Sequence, residues 1–210
     1  MPASGSAEVV CSSFAPDTLT QSCPLSGRQT TYPTVRNCGT TSDGDRELSL
    51  LSWGFVPNIK DKAPKRVTNV CDDKLDSRFW NASFRERRCL VPVTSFSEPK
   101  GKRPAIWHWF ALGEDRQPLA FSGICRSYRG AIRKDGDPVE IDVFAFLTTK
   151  PNDLVASLHP TRMPVMLVGE DAQSAWLDGS PDVARDLLQP YPAGEMAIVQ
   201  RDTERADLVA

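Results

Sequence analysis

The residue best suited to proton transfer in this 210-residue sequence is a histidine in a short polar segment. His159 is one of only two histidines, and Arg162 stands three positions after it. Apolar stretches at residues 143–147 and 165–168 flank the segment, which places the imidazole at the mouth of a strand. An imidazole titrates near neutral pH, and a neighbouring arginine suits an anionic substrate. The alternative interpretation is an ordinary surface-loop histidine.

Two further polar residues interrupt apolar surroundings. Asn69 lies between Thr68 and Val70, and Glu98 follows an apolar run that ends at Phe96. A carboxyl at the end of a strand that leaves the core can act as an acid or base, because burial raises the pKa of a carboxyl group. Taken singly, the two residues are better explained as an asparagine turn and a solvated glutamate before a proline.

The composition is that of a soluble globular domain. The chain is 40% hydrophobic and 25% charged, with a net charge of −2 and a pI near 5.7. This balance excludes a broadly basic nucleic-acid coat protein but permits a local basic groove. No apolar run approaches the roughly 18 residues of a membrane helix, and residues 1–10 lack the pattern of a secretory signal. We therefore expect a cytoplasmic protein that does not bind membranes.

The six cysteines do not form a recognisable set. They are widely spread, with no C-x-x-C pair and no histidine at zinc-binding spacing. We expect free thiols in a reducing compartment and no metal site.

Short strand-like segments dominate the pattern along the chain. Helical spacing is confined to three segments, and residues 1–45 are interpreted as mostly loop because they are rich in Ser, Thr, Pro and Gly. The predicted fold class is α+β, a single domain with a largely antiparallel, curled or barrel-like sheet and a few short helices. The predicted strands are 48–51, 88–93, 105–112, 119–125, 139–148, 163–168 and 196–199, and the predicted helices are 74–87, 170–177 and 181–188.

Five ordered motifs resemble those of the SOS response-associated peptidase family, whose members process abasic sites. The resemblance runs from about Tyr32 to Val199 and rests on residues 53–57, 68–70, 87–92 with 96–98, 146–149 with 151–152, and 159–164. The corresponding division of the chain is an irregular segment 1–31 with a leader to residue 10, a family domain 32–200 and a tail 201–210.

The resemblance implies covalent chemistry on DNA without a cofactor. Family members begin Met-Cys, and loss of the methionine exposes a cysteine with a free α-amine. This amine condenses with the open-chain aldehyde of an abasic site in single-stranded DNA, and the thiol then closes a thiazolidine ring. The same cysteine is thought to cleave its own leader peptide, so peptidase and lyase-type activities are both implied. The implied partner is single-stranded DNA containing abasic sites, bound by a monomer in the cytoplasm or, in a bacterium, at the nucleoid.

The same resemblance gives roles to the three polar residues. The residue matching Glu98 handles protons at the amine and sugar, and the residue matching His159 assists ring opening and the Schiff-base steps. The residue matching Asn69 positions the sugar or the terminal cysteine.

The start of the sequence departs from the family pattern. It reads Met1-Pro2, and the first cysteine is Cys11. Cys11 precedes an aromatic residue at family spacing, so we expect it to be the nucleophile after cleavage of the Val10–Cys11 bond. A misassigned start, a corrupted reading frame and a decayed paralogue are the alternatives.

A second departure concerns the DNA contacts. The family has Asn-x-Arg, but this sequence has Cys71 at the arginine position, and a neutral thiol cannot make a bidentate phosphate contact. Candidate backbone contacts are Arg36, Arg87, Arg88 and Arg162, with ordinary surface charge as the alternative. Bases stack on aromatic rings, so Trp53 is a candidate at the DNA face, whereas Trp107 and Trp109 are expected in sheet packing.

Two competing functions remain open from the sequence. One is an impaired relative that binds single-stranded DNA without covalent capture. The other is a cysteine protease with Cys89 as nucleophile and His159 as base. The apolar surroundings of Cys89 favour an inert buried thiol over this second function.

Overall fold

A computed structural model describes residues 23–24, 31–37, 46–57, 65–101, 103–133 and 136–203. The strands are β1 Cys23–Pro24, β2 Thr31–Asn37, β3 Arg46–Trp53, β4 Asn69–Cys71, β5 Arg88–Val93, β6 Phe96–Lys100, β7 Ile106–Leu112, β8 Leu119–Gly130, β9 Val139–Thr149, β10 Met163–Pro164, β11 Met166–Leu167 and β12 Met196–Asp202. The α-helices are α1 Asn81–Glu86, α2 Asp153–Ala156, α3 Glu170–Asp178 and α4 Pro181–Asp186, and 3-10 turns cover Asp72–Lys74 and Ala193–Glu195.

The larger sheet curls until β9, at one end of the row of strands, meets β3 at the other end. The pairings run β3–β2–β5–β8–β9, and β9 also pairs with β3 through Ser52↔Val143 and Trp53↔Phe144. All of these pairings are antiparallel except that of β3 with β9. The short strands β4 and β10 extend the sheet at β9, and β11 adds to β8. The predicted α+β class with a largely antiparallel, curled sheet is confirmed.

A smaller four-stranded sheet, β1-β6-β7-β12, carries Glu98. The pairings of β6 with β7 and of β7 with β12 are antiparallel, and β1 lies parallel to β6. Phe96 and Phe110 from this sheet stack with ring centroids 5.2 Å apart, and Phe96 also meets Phe121 of β8 edge-on at 5.8 Å. These rings join the two sheets into one domain.

Alternation along the strands separates two apolar clusters. In β9, Phe144 and Phe146 face the cluster between the sheets, while Val143 and Ala145 face the cluster beneath the helices. A strand with apolar residues on both faces is buried on both sides, which is why the sequence of β9 reads as a continuous apolar run. Trp176 of α3 anchors the helical layer. Among the described residues, none of the helices has the length and apolar character needed to span a membrane.

The structure departs from the predicted elements in several places. Residues 31–37 form β2, within the stretch interpreted as mostly loop. The helix predicted at 74–87 is reduced to α1, because the aromatic residues before it pack as a cluster, with the rings of Phe79 and Trp80 only 4.4 Å apart. The strand predicted at 163–168 is divided at Val165, so β10 pairs with β9 and β11 pairs with β8.

Candidate functional site

Glu98 lies within a strand of the smaller sheet, not beyond its end. It occupies the third position of β6, and its side chain is only 10% exposed. Glu98 shares a face of β6 with Phe96, because side chains two residues apart in a strand point the same way. The fold therefore holds the carboxyl at the margin of the apolar cluster, where its ionised form loses solvation.

His159 is held in the turn that follows α2. Asn152 begins this helix, since its Oδ1 accepts from the backbone N–H of Val155 at 3.0 Å. The Nδ2 of Asn152 donates to the carbonyl of Tyr191 at 2.7 Å, which ties the helix to the loop before β12. The backbone N–H of His159 donates to the carbonyl of Val155 at 2.8 Å. The position of the imidazole is thus fixed by a capped helix and not by a free loop.

The structure brings Glu98 and His159 together. The imidazole Nδ1 lies 3.7 Å from the carboxyl Oε2 of Glu98 and 3.2 Å from the carbonyl oxygen of Arg162. A carbonyl oxygen can only accept, so this contact favours a proton on Nδ1 and leaves Nε2 of the neutral ring as an acceptor. The His159 side chain is 33% exposed. A buried carboxyl beside a partly exposed imidazole can pass a proton between the interior and a bound substrate.

Arg162 fastens this turn to the larger sheet. Its guanidinium donates to Asp72, to Asp73 at 2.9 Å and to the carbonyl of Thr148 at 3.2 Å. Burial alone would lower the pKa of Arg162, but the hydrogen bond to Asp72 and the proximity of Cys71 lead the opposing effects, and the pKa is raised above its ordinary value. Arg162 is a candidate for contact with DNA phosphate, but these two carboxylates largely neutralise its positive charge.

Asn69 lies in β4, beside the apolar core. It pairs with Phe146 of β9, and the indole N–H of Trp53 donates to the neighbouring Thr68 carbonyl at 2.9 Å. The Oδ1 of Asn69 is buried and has no hydrogen-bond partner within the described parts of the chain. A buried, unpaired amide oxygen is costly, so it is a natural place for a ligand or terminal amine to donate. The connection from Asn69 to His159 is indirect, because β4 leads into Asp72, Asp72 pairs with Arg162, and the Arg162 carbonyl contacts the imidazole.

A polar cavity of about 490 Å³ opens beside the Arg162 ion pairs. Two acidic and two basic side chains contribute to its wall, so no net charge favours a phosphate there. The lining residues are Asp72, Asp73, Thr149, Lys150, Thr161, Arg162, Leu188 and Gln189.

The remaining candidates for DNA contact differ in their availability. Arg88 is a structural residue, because its guanidinium donates to carbonyls around the ends of α1 and α3, including those of Trp176, Leu177 and Gly179. Arg87 is exposed and paired with Glu86 at 3.3 Å. Arg36 lies in β2 at the position opposite Glu47 of β3.

The aromatic and cysteine candidates are mostly in the core. Trp53 is 5% exposed and stacks on Phe146, with centroids 5.5 Å apart, so its ring does not present a face to DNA. Trp109 is buried, as expected of sheet packing. Cys89 is fully buried and therefore unsuited to act as a protease nucleophile. Cys11 lies outside the described residues.

Sequence reasoning gave no role to three residues that shape the site. Asp72 and Asn152 position the histidine turn, and His108 of β7 pairs directly with Glu98 across the smaller sheet. The only sequence signal for His108 was its rarity, since it is the second of two histidines. Among the described residues, no group of three or more His, Cys, Asp or Glu is arranged to hold a metal ion.

Comparison with known proteins places this chain in a family. Similar folds occur in a protein from Bacteroides thetaiotaomicron (21% identity, TM-score 0.62, 80% of this chain and 72% of that one) and a protein from Bordetella bronchiseptica (22%, 0.63, 86% and 90%). A phage-related protein from Bordetella bronchiseptica is also similar (21%, 0.58, 80% and 76%). No curated protein matches the chain. The family model described as SOS response associated peptidase matches residues 13–204. The chain therefore belongs to the SOS response associated peptidase family, which gives it an SOS and DNA-damage context.

Proposed function

We propose that this protein recognises abasic sites in single-stranded DNA and captures them covalently through an N-terminal cysteine. The observation that carries the proposal is the contact between Glu98 and His159, 3.7 Å apart in a chain of this family. An acid–base pair half in the interior and half at the surface matches a reaction in which a bound sugar must repeatedly gain and lose protons.

The capture reaction balances with one water as the leaving molecule. The α-amine of the terminal cysteine adds to the C1′ aldehyde of the opened sugar, and the resulting carbinolamine loses water to form a Schiff base. The cysteine thiolate then adds to the imine carbon, and the nitrogen takes up a proton as the thiazolidine ring closes. Amine deprotonation and water loss each need a proton carrier, which are the roles proposed for Glu98 and His159.

Cys11 is the proposed nucleophile. Hydrolysis of the Val10–Cys11 peptide bond supplies its free α-amine and releases residues 1–10. The thiol and amine must belong to one residue for the ring to close, so internal cysteines such as Cys71 and Cys89 cannot replace it. The buried, unpaired Oδ1 of Asn69 supports a role in holding the terminal amine or a sugar hydroxyl.

The proposed DNA contacts are weaker than a basic groove would give. A cysteine occupies position 71, where the family pattern has an arginine, and Arg162 is largely neutralised by Asp72 and Asp73. Exposed Arg87 and the strand residue Arg36 remain as proposed phosphate contacts. These features favour, as a second candidate, a relative that binds single-stranded DNA without the covalent step.

The substrate places the protein where chromosomal DNA is, in the cytoplasm and, in a bacterium, at the nucleoid. One copy of the chain contains every group that the proposed reaction uses, so a monomer suffices.

A gel assay separates the two candidates. Protein with a verified N-terminal residue is mixed with an oligonucleotide that contains one abasic site, and a denaturing gel follows the crosslink over time. The control oligonucleotide carries a tetrahydrofuran residue, which has the shape of an abasic sugar but no aldehyde. Crosslinking of the first oligonucleotide alone is expected. Binding of both without crosslinking would favour the non-covalent candidate.

A further inference from the structure

One face of the smaller sheet rises out of the core as it passes Glu98. Residues two apart in a strand share a face, so Phe96, Glu98 and Lys100 follow one another along this face in β6. Phe96 is fully buried, Glu98 is 8% exposed, and Lys100 is exposed. Ile106, directly opposite Lys100 in β7, is 43% exposed. The rim of the face, which we define as Lys100, Ile106 and the exposed Arg201 of β12, is therefore open to solvent two residues beyond the buried carboxyl.

The two cations of this rim lie close to the site. Lys100 is two residues along β6 from Glu98, a backbone distance of about 7 Å. Arg201 is directly opposite His108 of β7, and His108 is directly opposite Glu98. The three residues form one row across the sheet, which places the backbone of Arg201 about 10 Å from that of Glu98. Burial lowers the pKa of the His108 imidazole, a hydrogen bond within its own strand opposes this effect, and the two cations lower the pKa further.

The positive charges of the rim are not paired with acidic side chains. Lys100 and Arg201 form no ion pair with any of the described residues. Besides Glu98, the acidic residue of β6, β7 and β12 is Asp202, which is one position along from Arg201 and so points to the other face of the sheet. The rim thus presents two exposed cations and an apolar side chain beside one buried carboxyl.

Lys100 also reaches the turn that carries His159. Its Nζ lies 3.5 Å from the carbonyl oxygen of Ser157, which ends α2 two residues before His159. The Nδ1 of His159 is in turn 3.7 Å from Oε2 of Glu98. The ammonium therefore stands where the strand of Glu98 meets the turn of His159, and an anion bound there would lie beside both groups.

We propose that Lys100 and Arg201 bind phosphates of the single-stranded DNA next to the abasic sugar, an inference that rests on the proposed function. Capture requires this sugar to lie at the acid–base pair, and the sugar is joined directly to a phosphate on each side. Cations whose backbones are about 7–10 Å from Glu98 can reach these phosphates through their long side chains. Ile106, on the same rim, offers an apolar surface to a neighbouring deoxyribose.

The salt dependence of non-covalent binding tests the rim. Binding of a fluorescent single-stranded oligonucleotide with one tetrahydrofuran residue is measured by anisotropy over a range of salt concentrations. Each phosphate contact on single-stranded DNA adds about 0.7 to the log–log slope, so Lys100→Gln and Arg201→Gln should each lower the slope by about 0.7 and the double variant by about 1.4. Lys100→Arg keeps the charge and should keep the wild-type slope. The matched control is Arg129→Gln, which removes an exposed cation of β8 opposite Glu140, roughly 26 Å along β9 from Thr148 at the histidine turn.

The outcomes distinguish this proposal from the proposed function. The tetrahydrofuran residue has no aldehyde, so binding of this oligonucleotide does not depend on the covalent step. A slope and affinity of the double variant equal to those of Arg129→Gln would overturn the phosphate rim even in a protein that captures abasic DNA, and so would a wild type that does not bind the oligonucleotide. A lower slope in the double variant of a protein that never crosslinks abasic DNA would support the rim and refute covalent capture alone.

Discussion

Replacing Asp72 by Asn should loosen the turn that carries His159. One carboxylate oxygen of Asp72 accepts from the Arg162 guanidinium, and the other accepts from the Thr149 hydroxyl at 2.8 Å. The carbonyl of Arg162 in turn contacts the imidazole of His159. Asparagine can keep the hydroxyl contact, but its amide N–H₂ opposes the guanidinium donor. Asp72 therefore connects the end of β9 to the histidine.

The magnitude follows from one charge-assisted hydrogen bond. Such bonds contribute about 1.5–3 kcal/mol, and the lower half applies because Arg162 retains Asp73 and the Thr148 carbonyl. Both Asp72 and Arg162 side chains are 28% exposed, so screening is partial. A loss of about 1.5–2 kcal/mol corresponds to a melting temperature lower by roughly 3–8 °C in a domain of this size. Displacement of the imidazole should also slow capture roughly tenfold.

Asp73→Asn is the matched control, with the same chemical change one residue away. The Asp73 side chain is 55% exposed and makes two exposed ion pairs, with Arg162 at 2.9 Å and with Lys74 at 3.4 Å, so the melting temperature of this variant should stay within about 2 °C of the wild type. Thermal denaturation and the crosslinking assay are run on both variants. Equal effects of the two substitutions on stability and rate would refute the idea that Asp72 positions His159.

Three further perturbations probe other parts of the site and fold. Cys71→Arg should restore about one phosphate contact and steepen the salt dependence of DNA binding by roughly one unit of log–log slope; an unchanged slope would show that this position does not face DNA. Burial, followed by the hydrogen bond to Glu195, raises the pKa of Tyr191 to about 12 from 10.0. The neutral Tyr191 hydroxyl therefore stabilises the folded state fully below pH 10, and this contribution is lost as the pH rises from 10 to 12. Denaturant titrations should show a smaller fall in the free energy of unfolding over this range in Tyr191→Phe than in the wild type. Arg88→Ala should lower the melting temperature by several degrees, because carbonyls at the end of α3 lose their donor, while the salt slope of DNA binding stays unchanged. A shallower salt dependence in Arg88→Ala than in the wild type would show that Arg88 does contact DNA.

The strands of this fold were predictable because their apolar patterns are local. Alternation and continuous apolar runs located β5, β7, β8 and β9 to within a few residues, except that β8 extends five residues beyond its predicted end. Pro181 marked the start of α4, where the Ser180 hydroxyl caps the helix. These signals depend on neighbours in the sequence and need no knowledge of the tertiary structure.

Glu98 and His159 could be proposed as site residues from the sequence, but their contact could not. The sequence analysis placed Glu98 at the end of a strand, before Pro99, yet β6 continues to Lys100. A proline is tolerated there because the described part of β1 pairs only with Phe96 and Ser97, so no β1 residue needs a hydrogen bond from position 99. The contact between Glu98 and His159 joins residues far apart in sequence, so only the packing of two sheets creates it. The neutralisation of Arg162 has the same origin, because its carboxylate partners are 89 and 90 residues away.

The atoms that join the protein to an abasic site test the central claim most directly. Crosslinked product is digested with nuclease and protease, and mass spectrometry of the DNA-bearing peptide locates the attached sugar. We predict a peptide that begins at Cys11 and carries the sugar on both its α-nitrogen and its sulfur, with a mass equal to peptide plus sugar fragment less one water. A sugar attached to a lysine or an internal cysteine, or the absence of any adduct in protein that begins at Cys11, would contradict the proposal.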